Sequence, residues 1–322
     1  MATYDVAIVG AGPSGSTLAY RLAKLGINTL LLDRALLPRN KPCGGACDGL
    51  FFKYLPEGMD ISPAIEIWCK SVTIAYKDQF RETFNLDPPM AMTQRIKLDY
   101  CLVQQAVKAG AVLRERTEVK YITRQGTYLL ENHQGFIAHA KVVVGADGAY
   151  STVARALGYK TPRHEYILSE LDLVRRDQPE QPFDQAMVDL SVKPLAYWWQ
   201  FPKTDHINVG FGVPRPMAKV LSSPDLLQSY AHRWGLKLEE PQWAKRVSHM
   251  IPIARKGYQV TKDSSLLIGD AAGLVDPTSG AGISWGVASG QWAELAILNY
   301  LGDYSASLTF RERYSFSPYQ QH

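Results

Sequence analysis

A short apolar run ending in three spaced glycines opens this sequence: Asp5-Val-Ala-Ile-Val9, then Gly10-Ala-Gly12-Pro-Ser14-Gly15. An apolar run with β-branched residues reads as a parallel strand buried on both faces. The G-x-G-x-x-G spacing assigns each glycine a task. Gly10 permits the tight turn, Gly12 lets the backbone approach a pyrophosphate, and Gly15 lets the next helix pack close to the strand. That helix, about Ser14 to Leu25, carries Leu18, Leu22 and Leu25 on one face and is closed by Gly26. Its N-terminus offers free N–H groups and a partial positive charge to phosphates. A second strand, Asn28 to Leu32, ends in Asp33. That carboxylate lies about twenty residues past the glycines, where ribose hydroxyls are bound. Arg34 beside it is counted with the cofactor contacts.

A second glycine stretch lies near the other end: Leu266-Leu-Ile-Gly269-Asp270-Ala-Ala-Gly273-Leu-Val-Asp276-Pro277. It reads as a strand end followed by a sharp turn that presents Asp270. A carboxylate there accepts hydrogen bonds from polyol hydroxyls such as a ribityl chain. Pro277 to Gly282, with Gly280, Ala281 and Ile283, forms a glycine loop at the start of the last helix. Its backbone N–H groups suit the N1–O2 edge of a flavin. The two stretches in this order point to one cofactor site, to FAD, and to redox chemistry.

Composition fits a globular enzyme. At 322 residues the chain suffices for one large or two modest domains. A net charge of +4 is mild and favours anionic small molecules or an acidic partner; no basic block of the nucleic-acid-binding kind is present. The first strand begins at residue 5, which leaves no room for a signal peptide, and no run of about 18 apolar residues is available to span a membrane. Four cysteines without C-x-x-C pairs argue against a disulfide framework or a metal site, and a cytoplasmic location follows.

Along the chain the domains are interleaved. Residues 34–58 read as a long loop with a short helix at Gly49 to Tyr54. Lys70 to Tyr76 and Phe80 to Leu86 read as a hairpin broken by Asp87-Pro-Pro. Ile96 to Ala109 reads as a helix closed by Gly110, and Ala111 to Glu118 as a strand. Tyr121 to Leu130 and Gly135 to His139 form a β-excursion before the buried strand Lys141 to Gly145. Residues from about 160 to 258 are β-rich. Leu266 to Ile268 is one more strand, and Gly282 to Leu301 a final helix. The expected division is 1–66, 93–158 and 259–322 for cofactor binding, and 67–92 and 159–258 for substrate. The class is α/β.

At this point the sequence resembles the geranylgeranyl reductase family, within flavoproteins of the p-hydroxybenzoate hydroxylase fold. Gly10-x-Gly12-x-x-Gly15, Gly145-Ala-Asp147-Gly148-Ala-Tyr-Ser151 and Gly269-Asp270-Ala-Ala-Gly273 are similar to that group's three cofactor motifs. Arg95, before a helix that carries Leu98-Asp99, resembles its FAD-contacting arginine. The resemblance implies that Asp147 faces both FAD and a nicotinamide cofactor. Lys41-Pro42-Cys43-Gly44-Gly45 is similar to the family's cysteine-glycine loop beside the flavin ring. Pro194-Leu-Ala-Tyr197-Trp198-Trp199-Gln-Phe201-Pro202 matches its P-x-x-Y-x-W-x-F-P segment, which lines the isoprenoid tunnel. Read from residues alone, Tyr197, Trp199 and Phe201 share one face of a strand, as a hydrocarbon wall or as ordinary sheet core. The sequence departs from the family at Ala281, where a glutamate is usual, and at Ala46, which interrupts the glycine run. Typical members continue past the last helix into a region that helps close the substrate chamber, whereas this sequence stops at residue 322.

The resemblance implies an FAD-dependent reductase of isoprenoid double bonds. Tyr197, Trp199 and Phe201 would bind substrate, with Cys43 and Tyr197 as candidate proton donors. No second G-x-G-x-x-G is present, so NADPH or reduced ferredoxin would be a transient electron donor. Peripheral membrane association is compatible with such a substrate. Competing readings are a flavin monooxygenase of an aromatic or polyketide-like substrate, a halogenase, and a non-catalytic prenyl-binding protein. Cys47 reads as a spare thiol, His206 as a solvated turn residue, and Trp285 and Trp292 as core residues.

Overall fold

The computed structural model describes residues 2–77, 79–160, 163–174, 184–193, 196–217, 224–234, 236, 247–254, 258–277 and 279–302. Pro194 of the aromatic segment and residues 303–322 of the expected cofactor-binding division lie outside the described residues.

The first sheet carries the glycine motifs. The opening run forms β1 (Thr3–Val9), followed by α1 (Pro13–Lys24) and β2 (Thr29–Leu32). β1 pairs in parallel with β2, Val6 opposite Thr29 and Val9 opposite Leu32. Its apolar run is continuous because both faces are covered. Val6 and Ile8 enter one core with Leu18 and Leu22 of α1, and Ala7 and Val9 enter a second.

The long loop after β2 contains β3 (Ala46–Cys47) and then α2 (Gly49–Tyr54), which Asp48 caps by accepting a hydrogen bond from Phe51 N. β4 (Ile65–Tyr76) and β5 (Phe80–Thr93) form a hairpin longer than the sequence suggests. The Asp87-Pro-Pro interruption does not end β5. Cys69 pairs with Met90 and Ser71 with Asn85, so residues 86–89 bulge out opposite Lys70 alone. β3, within the 1–66 stretch, pairs with β5.

Next come α3 (Arg95–Lys108), β6 (Val112–Arg114), β7 (Tyr121–Gln125), β8 (Thr127–Asn132), β9 (Gly135–Gly145) and α4 (Thr152–Ala156). The strand expected over Ala111–Glu118 is only three residues long. It pairs along Leu30 to Leu32, and β2 has no further residues to offer. The expected strands Gly135–His139 and Lys141–Gly145 are one strand, β9. Its first half pairs antiparallel with β8, and from His139 onward it pairs in parallel with β1.

The β-rich region supplies β10 (Arg163–Val174), β11 (Gln185–Lys193), β12 (Ala196–Pro202), β13 (His206–Pro214), α5 (Pro224–Arg233) and β14 (Val247–Ile253). The chain then returns to the first sheet through β15 (Thr261–Lys262) and β16 (Ser265–Leu267), and ends its described part in α6 (Ile283–Gly302). One sheet runs β15-β16-β9-β1-β2-β6, with β8 and β7 continuing from β9. The other runs β14-β10-β13-β12-β11-β4-β5-β3. This is a mixed α/β fold with two sheets. On α6, Trp292 is buried and Trp285 half-buried, their rings 6.3 Å apart, as their spacing suggests. Trp198 on β12 faces Phe211 and Tyr230, away from its neighbours Tyr197 and Trp199.

Candidate functional site

The two glycine stretches meet around Ser14. A Cβ on Gly269 would lie 2.3 Å from Ser14 Oγ, and one on Gly286 of α6 would lie 2.4 Å from it. A side chain at either position would press on Ser14, and α1 is clasped between the Gly269 turn and α6. Gly10 has φ +109°, and a Cβ there would collide with Ala146 O at 2.2 Å; one on Gly15 would meet Gly10 O at 1.9 Å. The fingerprint and the Gly145–Ser151 segment are thus joined by close backbone contacts that only glycine allows, and the Gly269 turn abuts the Ser14 side chain.

These contacts surround a cavity of ≈ 490 Å³. Gly10, Gly12 and Ser14 line it at the N-terminus of α1. Asp33 and Arg34 line it at the end of β2, and Cys43, Arg95, Asp147, Asp270, Gly280, Gly282 and Ile283 complete the expected set on its wall. Gly15 and Gly269 stand in the packing layer behind. Pro277 and Ala281 belong to the loop whose Gly280 and Gly282 reach the wall. Gly44 and Gly45 follow Cys43 away from it.

Charge is arranged in two clusters. Asp33 Oδ2 accepts from Ala11 N at 3.0 Å and Arg39 Nη2 at 3.2 Å, and Oδ1 accepts from Ala35 N at 2.9 Å. Arg39 also donates to Asp99 Oδ2 at 3.1 Å, and Arg95 grips Asp99 with two bonds of 2.7 and 2.8 Å. Burial works against the charge of Arg95, but Asp99 outweighs it and holds the guanidinium protonated, above its usual range. In the second cluster Lys41 Nζ donates to Asp270 Oδ2 at 3.3 Å. Burial raises the Asp270 carboxyl, yet the nearby Lys41, His249 and Arg95 more than offset this and hold it below the ordinary carboxylate value.

Asp147 is occupied locally. Its carboxylate accepts from Ser151 Oγ at 2.5 Å, Thr152 N at 2.6 Å and Val153 N at 3.1 Å, bridging the turn into α4. Burial raises its pKa against those bonds.

The Cys43 loop and the aromatic strand touch. A Cβ on Gly44 would lie 2.6 Å from the Phe201 ring and 3.3 Å from Trp199 Nε1. Cys43 N donates to Glu170 Oε1 on β10 at 2.7 Å. The rings of Tyr197, Trp199 and Phe201 follow one another at 5.9 and 6.3 Å, so they share one face. That face supports loops. Phe201 and Trp199 sit under Gly44, and Tyr197 Oη donates to Ser279 O at 2.5 Å. The aromatic residues stand one layer behind the cavity wall rather than on it. Cys47 is a buried free thiol whose pKa burial pushes up to about 12. His206 pairs with the neighbouring Asp205 at 2.8 Å.

Several wall residues carried no sequence signal. Arg39 lies in an irregular loop. His249 and Ile251 reach the wall because β14 pairs with β10, placing His249 opposite Leu168, another wall residue. Tyr150 stands against His249, ring centroids 6.4 Å apart. Strand register brings His249 and Ile251 to the wall, and loops bring Arg39 and Tyr150.

The wall fits a flavin dinucleotide. Gly12 leaves open the approach to the N-terminus of α1, with Arg95 Nη2 3.7 Å from where its Cβ would stand. A Cβ on Gly282 would lie 3.1 Å from Asp270 Oδ1, so the missing side chain keeps that carboxylate open to a polyol. A cation-rich centre and two terminal carboxylates match a pyrophosphate flanked by ribose and ribityl hydroxyls.

The FAD binding domain family matches residues 3–47 and 67–208, more than half of the chain. Geranylgeranyl diphosphate reductase of Synechocystis is 31% identical over 306 residues, covering 86% of this chain and 71% of that protein. The chain belongs to the geranylgeranyl reductase family of FAD-dependent oxidoreductases. A second member, digeranylgeranylglycerophospholipid reductase of Sulfolobus acidocaldarius, is 27% identical over 335 residues, covering 94% of this chain and 71% of its own. Among solved structures, a geranylgeranyl bacteriochlorophyll reductase-like protein of Thermoplasma acidophilum superposes with a TM-score of 0.77 at 26% identity, over 95% of this chain and 81% of that one. Like them, this reductase-family chain has the p-hydroxybenzoate hydroxylase-type fold and is an FAD-dependent oxidoreductase. No helix among its described residues is long and apolar enough to cross a membrane.

Proposed function

We propose that this protein reduces isolated carbon–carbon double bonds in an isoprenoid chain. The observation that carries the reading is the contact of Gly44 with Trp199 and Phe201, next to Cys43 of the cavity wall. The names of the family members, each acting on a geranylgeranyl compound, support the same substrate class.

Bound and reduced FAD supplies the hydride that such an alkene needs. Gly10, Gly12, Asp33 and Asp270 hold its two ends. Trp199, Phe201 and Tyr197 keep water from the back of the Cys43 and Ser279 loops. Cys43 holds a proton at Sγ for the second alkene carbon, so that one hydride and one proton saturate each bond. NADPH or reduced ferredoxin restores the reduced cofactor as a transient partner.

Anaerobic incubation of the reduced enzyme with geranylgeranyl diphosphate, followed by mass spectrometry, tests the reading. A gain of about two mass units per bond supports it, each bond taking up one hydride and one proton. A gain of about sixteen in air, from one oxygen atom, replaces it with a monooxygenase.

A further inference from the structure

The loop that carries Cys43 rests on a buried lysine. Lys203, immediately after β12, is only 2% exposed, although lysine is almost never fully buried without a reason. Its Nζ donates to Gly44 O at 2.7 Å and to Thr93 O at 2.7 Å. Thr93 itself binds the same loop twice, its N–H donating to Gly45 O at 2.8 Å and its Oγ1 at 2.9 Å. Gly45 has φ +68°, and a Cβ there would lie 2.0 Å from Thr93 O and 3.3 Å from Lys203 Nζ. Lysine and loop are therefore in direct contact, with no side chain between them. Lys203 N donates in turn to His206 O at 2.8 Å, which fixes the lysine to the turn between β12 and β13.

Taking an ammonium out of water is costly, and an apolar stem would fill the space without that penalty. What the amine adds is a pair of short bonds to two carbonyls from different segments, one of them adjacent to Cys43. Its positive charge also reaches the Cys47 and Cys69 thiols, where it opposes the effect of burial.

We propose that Lys203 is the positioning residue of the Cys43 loop, its buried ammonium pinning the Gly44 carbonyl so that Cys43 is held at the cavity wall. Lys203 acts through the loop and touches neither cofactor nor substrate. The inference concerns the protein's own loop, so it stands or falls independently of which alkene, if any, is reduced.

The test is maleimide labelling of the purified holoenzyme, followed residue by residue by mass spectrometry. Cys101, half-buried on α3 and remote from the loop in sequence, is the internal reference. Lys203→Met keeps the stem and removes the charge and both donors. Cys43 labelling should accelerate about tenfold or more relative to Cys101, as expected for losing two bonds from a charged donor. Lys203→Ala should show the same acceleration, and butylamine should reverse it where butanol does not. That difference separates charge from space filling. Unchanged Cys43 labelling in Lys203→Met, or equal rescue by amine and alcohol, overturns the proposal. If Lys203→Met does not fold, Lys203→Ala refolded with each additive decides: recovery with butylamine beyond that with butanol supports it, and anything less overturns it.

Discussion

Lys41 Nζ stands 3.3 Å from Asp270 Oδ2, an ion pair that ties the loop before Cys43 to the turn of the second glycine stretch, 229 residues away in sequence. It joins two parts of the cofactor wall that the chain could otherwise hold only through packing, and it gives that wall a pH dependence. The folded-state pKa of Asp270 is depressed below its ordinary value of 3.8. Its contribution to stability is therefore complete above the unfolded pKa and is lost as pH falls through the lower folded pKa. Thermal melts of the flavin-free protein should show wild type more stable than Asp270→Asn at neutral pH, with the gap closing only below about pH 4. A gap that does not close below about pH 4 would exclude the Asp270 carboxylate as its source.

Asp33 should govern affinity for FAD. Its carboxylate is buried and oriented by Ala11 N, Ala35 N and Arg39. Asp33→Ala removes charge-assisted bonds worth about 1.5–3 kcal/mol each, so FAD should bind at least about tenfold more weakly in a fluorescence-quenching titration. Unchanged affinity would exclude Asp33 from the site.

The contact between Gly44 and Phe201 can be tested as a pair. Gly44→Ala places a methyl 2.6 Å from the ring, so the loop must move, at a cost of about 1–3 kcal/mol. Phe201→Leu should recover part of that loss. A double-mutant cycle on chemical-denaturation stability should give a coupling of about 0.5–3 kcal/mol, as for residues in contact. Additive effects would show that loop and strand do not meet.

Cys43→Ser should separate two half-reactions. The hydroxyl is a far weaker acid than the thiol, so alkene reduction should fall by about 10²-fold while cofactor reduction proceeds at the wild-type rate. Stopped-flow absorbance measures the second and product mass the first. Wild-type alkene reduction in this variant would assign Cys43 a packing role and leave proton delivery to water.

Much of the architecture is legible in the residues. The run Asp5–Val9 reads as a strand covered on both faces, and both faces of β1 are buried. The glycine spacing announces close backbone contacts, and the contacts at Gly10 and Gly15 are of that kind. The short helix at Gly49–Tyr54 stands where the sequence places it. These features are local: propensity, period and backbone freedom act within a few residues, so one sequence suffices to read them. The Asp87-Pro-Pro bulge was not legible, because proline signals a break and whether a strand resumes beyond it depends on its partner, here β4.

The alternation of Tyr197, Trp199 and Phe201 placed three rings on one face, since side chains alternate along any strand. What that face meets was decided by tertiary structure, which set the Gly44 and Ser279 loops upon it and left it behind the cavity wall. The same holds for Lys203, His249 and Arg39. Nothing in the spacing of these residues marks them. A lysine becomes a buried anchor, and a histidine a wall residue, only when a strand from one part of the chain is laid against a loop or strand from another. Contacts between segments far apart in sequence depend on sheet order and register, which the residues do not encode one at a time.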